Sequence, residues 1–306
     1  MRTFGLMLKS YGRDYSLAER LVASYHRYNG DSLPMVIIVP AEDVSLFQAL
    51  ASDSVTVMDE TPFAAHLVSE SFGGLRIGYI NQEIVKLAFW ELGVFDNYLV
   101  MDSDAVFIRP FVQEDFMSDD TTPYSVLVED NELKTDPRYY REHWQGREVH
   151  LRRIQELVGL DDRRLLTCHN HQVFNSTVLR SLRDDFLGPR DWGYRDLIEA
   201  SPYEFSWYNF WLQKSAVIPI RFREPWFKML HHEGQHTELA IRGTTLEDLA
   251  RGYVGLVVNS NFANAYVEFT LEETAEATLA RYVPPATLAR ALARQAGESA
   301  RRRLRR

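Results

Sequence analysis

Cysteine is almost missing from this 306-residue chain: Cys168 stands alone. No intrachain disulfide and no cysteine-built zinc cluster can form, and a reducing compartment fits. Long apolar runs are missing too, since no segment approaches the ~20 residues needed to span a bilayer. The start, Met1 to Lys9, holds too short an apolar run for a secretory signal and shows no clear cleavage site. Positive charge is in deficit, with 34 Lys and Arg against 43 Asp and Glu and a net charge of −9. That balance argues against a general nucleic-acid binder, which needs a basic surface. Together these absences predict a cytoplasmic protein.

The chain is otherwise that of an ordinary globular protein: 45% of its residues are hydrophobic and 25% charged. Its length allows one large domain or two ordinary ones. Thr3 to Leu8 reads as a strand, Tyr15 to Tyr28 as a helix and Met35 to Val39 as a buried strand. Asp43 to Leu50 reads as a helix, Val55 to Met58 as a strand, and Ile77 to Leu92 as a helix stopped by Gly93. Strand–helix alternation predicts an α/β fold with a mostly parallel sheet covered on both faces. Further on, strands are expected at Thr121 to Glu129, Ala216 to Phe222 and Val254 to Asn259. Helices are expected at Arg138 to Leu160, Asp191 to Ala200 and Tyr203 to Lys214.

The most informative stretch is Asn97-Tyr98-Leu99-Val100-Met101-Asp102-Ser103-Asp104-Ala105-Val106-Phe107-Ile108-Arg109-Pro110-Phe111. An apolar strand runs into Asp102 and ends there, and a second short strand follows. Carboxylates at i and i+2 on a strand end can converge on one hard cation, and Mg²⁺ or Mn²⁺ often completes its shell with substrate phosphates. The stretch reads as a metal–diphosphate clamp at the C-terminal edge of an α/β sheet. The competing reading is a solvated turn between two strands.

Asp-x-Asp after an apolar strand, followed by Val-Phe-Ile-Arg-Pro-Phe, resembles the GT-A glycosyltransferases, and the wider pattern is similar to a bacterial DUF6492-like group. The resemblance implies a GT-A-like (Rossmann-like) domain over residues 1–270, with residues 271–306 as a helical, basic C-terminal appendage. It implies transfer of a sugar from a nucleotide-diphosphate donor, a UDP-sugar or a GDP-sugar, to a hydroxyl acceptor. Uridine is the expected base, and a carbohydrate of a surface polysaccharide the expected acceptor. Asp102 and Asp104 would hold Mn²⁺ or Mg²⁺, with Asp104 also a catalytic candidate and Ser103 beside the donor. Lys9, Ser10, Tyr11 and Asp14 would border base and ribose, the alternative being an ordinary polar loop. Gln82 and Lys86, four apart, share a helix face, and Lys86 would meet the diphosphate. His169, Asn170, His171 and Gln172, with Asn175, would face donor sugar and acceptor. Glu204 is the candidate general base. Trp207 and Trp211 suit either a sugar face or a core.

His231, His232 and His236 need separate weighing. The resemblance implies one metal-ligating histidine late in the domain, and sequence does not choose among them. His232, Glu233 and His236 also spell His-Glu-x-x-His, the zinc-peptidase motif. Gly234 inside such a helix costs about 1 kcal/mol relative to Ala, and Glu224 to Phe227 reads as a loop entering it. A zinc peptidase and a non-catalytic nucleotide- or sugar-binding protein therefore stand as alternatives. The end, Ser299 to Arg306, suits peripheral contact with the anionic inner membrane face, or is a solvated terminus.

Overall fold

Met35–Val39, five apolar residues in a row, forms a strand (β2) buried along its whole length, as a strand covered on both faces must be. The computed structural model describes residues 2–129, 140–168, 171–231 and 244–259, with residues 235, 239, 286, 289, 290, 293, 294 and 297. The chain divides into two compact units. One comprises Met1–Val22, Asn29–Ser103 and Phe111–Pro225, the other Ala23–Tyr28, Asp104–Pro110 and Trp226–Arg306.

The first unit is built on a five-stranded sheet. Its strands are β1 (Arg2–Lys9), β2, β3 (Val55–Asp59), β4 (Phe95–Met101) and, after two short strands described below, β7 (Val173–Asn175). Their order is β3-β2-β1-β4-β7. The first four run parallel, and β7 pairs antiparallel with β4 through Asn97–Asn175, Tyr98–Phe174 and Leu99–Val173. Helix α1 (Tyr15–Tyr28) follows β1, and the short α2 (Val44–Phe47) follows β2. Helix α3 (Ile77–Ala88) leads into β4 through a 3₁₀ turn that Gly93 ends in the left-handed region, at φ 64°. Any side chain at Gly5 would meet the Phe95 ring across the β1–β4 pair.

Helices α4 (Gln145–Val158), α5 (Ser176–Ser181), α6 (Tyr194–Ala200) and α7 (Glu204–Ser215) complete this unit. Every residue of α7 from Glu204 to Leu212 is buried, which marks an interior helix rather than a surface one. Trp207 and Trp211 belong to the core. Their ring nitrogens donate to the Leu197 and Ser201 carbonyls and to Ser181 Oγ, as buried indoles require.

The strands expected at 121–129 and 216–222 shrink to β6 (Tyr124–Ser125) and β8 (Arg221–Phe222), paired with each other. Asp119 Oδ1 takes the backbone N–H groups of Thr121 and Thr122, which turns the chain before β6. Val126 N–H then goes to the Gln172 side chain instead of a partner strand.

The second unit carries a three-stranded sheet of β5 (Ala105–Phe107), β9 (Phe227–Leu230) and β10 (Gly255–Val258), in the order β5-β10-β9. β10 runs antiparallel to β5 and parallel to β9. Leu230, Leu249, Leu256 and Val258 form its core. Helix α8 (Leu246–Ala250) starts at Thr245, whose hydroxyl accepts from Asp248 N–H. Phe227, expected in a loop, begins β9 because β10 supplies it a parallel partner. Residues 271–306, expected as a helical appendage, lie outside the described residues except for six isolated positions. Among the described residues no helix is long and apolar enough to cross a membrane.

Candidate functional site

Strand order places the site. β1, β2 and β3 are laid down in one direction, and β4 then pairs on the other side of β1. Ligands of open α/β sheets bind beyond the carboxyl ends of strands at such a reversal. The loops leaving β1 and β4 meet there: Ser103 Oγ donates to Ser10 Oγ at 2.8 Å. Asp102 is the first residue after β4.

Helix α3 brings three polar side chains to this edge. Its apolar residues from Ile80 onward face the core, and Gln82, Glu83 and Lys86 interrupt that pattern within about one turn. Lys86 is only 2% exposed. Its ammonium lies 2.8 Å from Asp102 Oδ1 and 2.7 Å from Glu204 Oε1, the first residue of α7. Gln82 Nε2 donates to the same Asp102 oxygen at 3.0 Å. Glu83 accepts the Glu204 N–H at 3.3 Å and is itself buried. The Phe205 ring stands 5.2 Å from the Lys86 ammonium.

Charges in this cluster are interdependent. Burial pulls the Lys86 pKa down, but Asp102, Glu204 and Glu83 outweigh it and hold the ammonium well above the lysine range. Burial raises Asp102, and Lys86, His171 and Gln82 more than compensate, leaving it below the carboxylate range. Glu83 is driven well above that range, by burial first and by Glu204 next. His171 is 2% exposed, and burial takes its pKa down to about 4, so the ring is neutral at pH 7.

The other expected residues divide. Lys9 is buried and bonded to Glu60 Oε2 at 2.9 Å and to the Ser10 carbonyl, so its ammonium already has its partners. Ser10 and Ser103 are buried with their hydroxyls bonded together, while Tyr11 is exposed. Asp14 is half-buried, and its pKa is raised by burial and then by Asp102. Two expected sugar contacts carry structural hydrogen bonds. Gln172 is fully buried, donating to Asn209 Oδ1 at 2.8 Å and accepting from Val126 N–H. Asn175 caps α5 through the N–H groups of Thr177 and Val178 and donates to Asn97 Oδ1 at 2.7 Å. His169 and Asn170 lie outside the described residues. Glu204 is 5% exposed and spends Oε1 on Lys86, an arrangement that suits a counterion better than a base open to an acceptor.

In the second unit, Asp104 accepts the Val258 N–H with its backbone carbonyl at 3.2 Å, extending the β5–β10 pairing. His231 follows β9, is buried, and donates its backbone N–H to Gln235 Oε1. His232, Glu233 and His236 lie outside the described residues.

Asp102 suits a hard cation. Its Oδ1 is fixed by Lys86 and Gln82, no described residue donates to Oδ2, and the side chain is 32% exposed. Among the described residues no group of three or more His, Cys, Asp or Glu could hold a metal. One carboxylate with water and phosphate as the remaining ligands is a Mg²⁺-type arrangement rather than a protein cage. The residue that sequence reasoning missed is Glu83. Its signal was the spacing to Lys86, three residues on, in a helix whose other inward positions are apolar.

No curated protein matches the chain. Among solved structures, the apo form of WbbM, a bifunctional glycosyltransferase, aligns with a TM-score of 0.47 at 11% identity, over 85% of this chain and 46% of its own. The chain thus spans less than half of that protein's length. Apo mouse xyloside xylosyltransferase 1 aligns with a TM-score of 0.43 at 11% identity, over 85% of this chain and 98% of its own. Residues 4–218 match a family described as a family of unknown function, DUF6492, and because that stretch is most of the chain, the protein belongs to this family.

Proposed function

We propose that this protein transfers a glycosyl group from a nucleotide-diphosphate sugar to a hydroxyl acceptor, with Mg²⁺ or Mn²⁺ on the diphosphate. The observation that carries this reading is the Asp102–Lys86–Glu204 array at the switch point of a parallel sheet. A buried ammonium beside a carboxylate with one oxygen uncommitted suits a ligand that is both anionic and cation-bound. A diphosphate departing from a sugar is such a group, and electrostatic stabilisation of the leaving charge is a large catalytic contribution.

Asp102 would hold the cation through Oδ2, with Gln82 and Lys86 fixing the carboxylate from behind. When bound, the cation would neutralise charge on the diphosphate and ease its departure. Lys86 would add a second positive charge, kept in place by Glu204. Glu204 is therefore assigned to holding Lys86 rather than to deprotonating the acceptor. Tyr11 and Asp14, which follow β1 and are not fully buried, would border the nucleotide.

The test is thermal stabilisation and calorimetry with UDP, GDP and CMP, each with Mn²⁺ and with EDTA, on wild type and Asp102→Asn. A ligand of the native state raises stability by mass action. Stabilisation by UDP with Mn²⁺, lost in EDTA and in Asp102→Asn, is the expected result, and a donor-sugar screen would follow. No response to any nucleotide would sink the proposal.

A further inference from the structure

The cluster behind Asp102 holds three carboxylates and one ammonium. Glu83 is 3% exposed, Glu204 5% and Lys86 2%. Three ionised carboxylates around one lysine would leave two uncompensated negative charges, and Glu83 and Glu204 are shut from water, where an unpaired charge is costly. The proton that relieves this must sit on one of the three. Asp102 receives Lys86 and Gln82 and is partly open to water. Glu204 receives Lys86 at 2.7 Å. Glu83 has no ion pair among the described residues; its Oε2 takes the long bond from Glu204 N–H, and its carboxyl also meets the Glu204 side chain.

We infer that Glu83 is a neutral carboxylic acid at physiological pH, its proton shared with the Glu204 carboxylate, and that it serves as the positioning residue of the Lys86 clamp. A carboxylic acid can accept the Glu204 N–H with one oxygen and donate from the other, which two facing carboxylates cannot do. Glu204 is then turned and held so that Oε1 meets Lys86. The groups facing Glu83 agree. Glu204 and Asp102 present negative charge from α7 and the end of β4, and Lys86, one turn along α3, is shared between them. Tyr79 and Tyr203 are phenols raised by burial and by Glu83 itself. Arg147 lies near those two phenols, and His171 is neutral. The positioning role rests on the reading of this edge as a donor site. The proton does not, because it follows from the unliganded cluster alone.

Infrared spectroscopy of the unliganded protein tests it. At neutral pH the wild type should show the carbonyl stretch of a buried carboxylic acid, and Glu83→Gln should lack that band. The second readout is the pH dependence of the midpoint temperature. A native carboxyl that keeps a proton the unfolded chain has released loses stability as pH rises above the unfolded value. From about pH 5 to about pH 8 the midpoint of Glu83→Gln should therefore rise relative to wild type. Glu83→Ala, which cannot donate to Glu204, should melt below Glu83→Gln throughout. Absence of the acid band in wild type, its persistence in Glu83→Gln, or failure of Glu83→Gln to fold would overturn the inference. Absence of the band would mean that Glu83 is ionised, its persistence in Glu83→Gln that another carboxyl holds the proton, and failure to fold that a neutral group cannot replace Glu83.

Discussion

Lys86 and Glu204 stand 118 residues apart in the chain and 2.7 Å apart in space, with Nζ of one against Oε1 of the other. That pair joins α3 to α7 behind the edge of the sheet, and Asp102 completes it. Breaking a buried pair from one side leaves a charge without compensation and costs about 3–5 kcal/mol. Lys86→Met strips the cation from both Glu204 and Asp102. It should lower the urea-unfolding free energy by about that amount, with an unchanged slope against denaturant. A loss under about 1 kcal/mol, the size of an exposed ion pair, would mean that the cluster is wetter than its burial suggests.

Gln82 separates the binding role from the stabilising one. Among the described residues its one side-chain hydrogen bond goes to Asp102 Oδ1, at 3.0 Å, and it is partly exposed. Gln82→Ala should change stability by about 1 kcal/mol, one hydrogen bond. Groups that orient a metal-binding carboxylate typically contribute about 10–100-fold in affinity. Calorimetry of UDP with Mn²⁺ should therefore show weaker binding by about that factor. Unaltered affinity would mean that Asp102 is oriented by Lys86 alone.

Asn175 gives the converse case. Its carbonyl caps α5, and its amide reaches Asn97 Oδ1, so its side chain is committed to the fold at both ends. Losing a cap costs about 0.5–2 kcal/mol, and leaving a buried acceptor unsatisfied adds about 1–3 kcal/mol. Asn175→Ala should lose about 2–4 kcal/mol in chemical denaturation. Its response to nucleotide below the unfolding temperature should match wild type. Selective loss of nucleotide binding with stability intact would return Asn175 to the site.

What the sequence revealed follows the reach of the forces involved. β2 and the Tyr98–Met101 end of β4 are readable because a short apolar run bounded by turn residues suits a buried strand. Gln82 and Lys86 are readable as neighbours because helix spacing is local. Glu204 as a counterion is not, because its partner lies on another helix. Glu83 drew no reading at all, because what sets it apart is α7, packed over it from 121 residues further along the chain. Gln172 and Asn175 read as sugar ligands because amides suit hydroxyls and backbone alike, and their bonds to Asn209, Val126 and Asn97 come from residues distant in the chain. β9 was hidden because its partner β10 lies some 25 residues further on, and neither the Phe227–Leu230 stretch nor its Pro225 flank names that partner.

His171 should make the protein acid-sensitive in a defined window. Its folded pKa is about 4, depressed by burial, against an ordinary value of 6.5. Below about 6.5 the unfolded chain takes a proton that the native ring refuses until about pH 4, so stability falls as pH falls through that window. The full loss is on the order of 3 kcal/mol, from ~1.4 kcal/mol per pKa unit. Asp102 acts in the same direction but lower, because its folded pKa lies below the ordinary 3.8. Glu83 acts in the opposite direction, since a raised carboxyl gains relative stability on acidification. The two partly cancel in a simple acid titration of wild type. The difference between wild type and His171→Asn removes the Glu83 contribution, provided the variant keeps the cluster intact. Urea midpoints for both proteins at intervals from about pH 4 to about pH 7 should show wild type losing ground to the variant as pH falls. Parallel curves would mean that His171 takes up its proton in the folded state as readily as in the unfolded chain, and hence that the ring is not sealed from water.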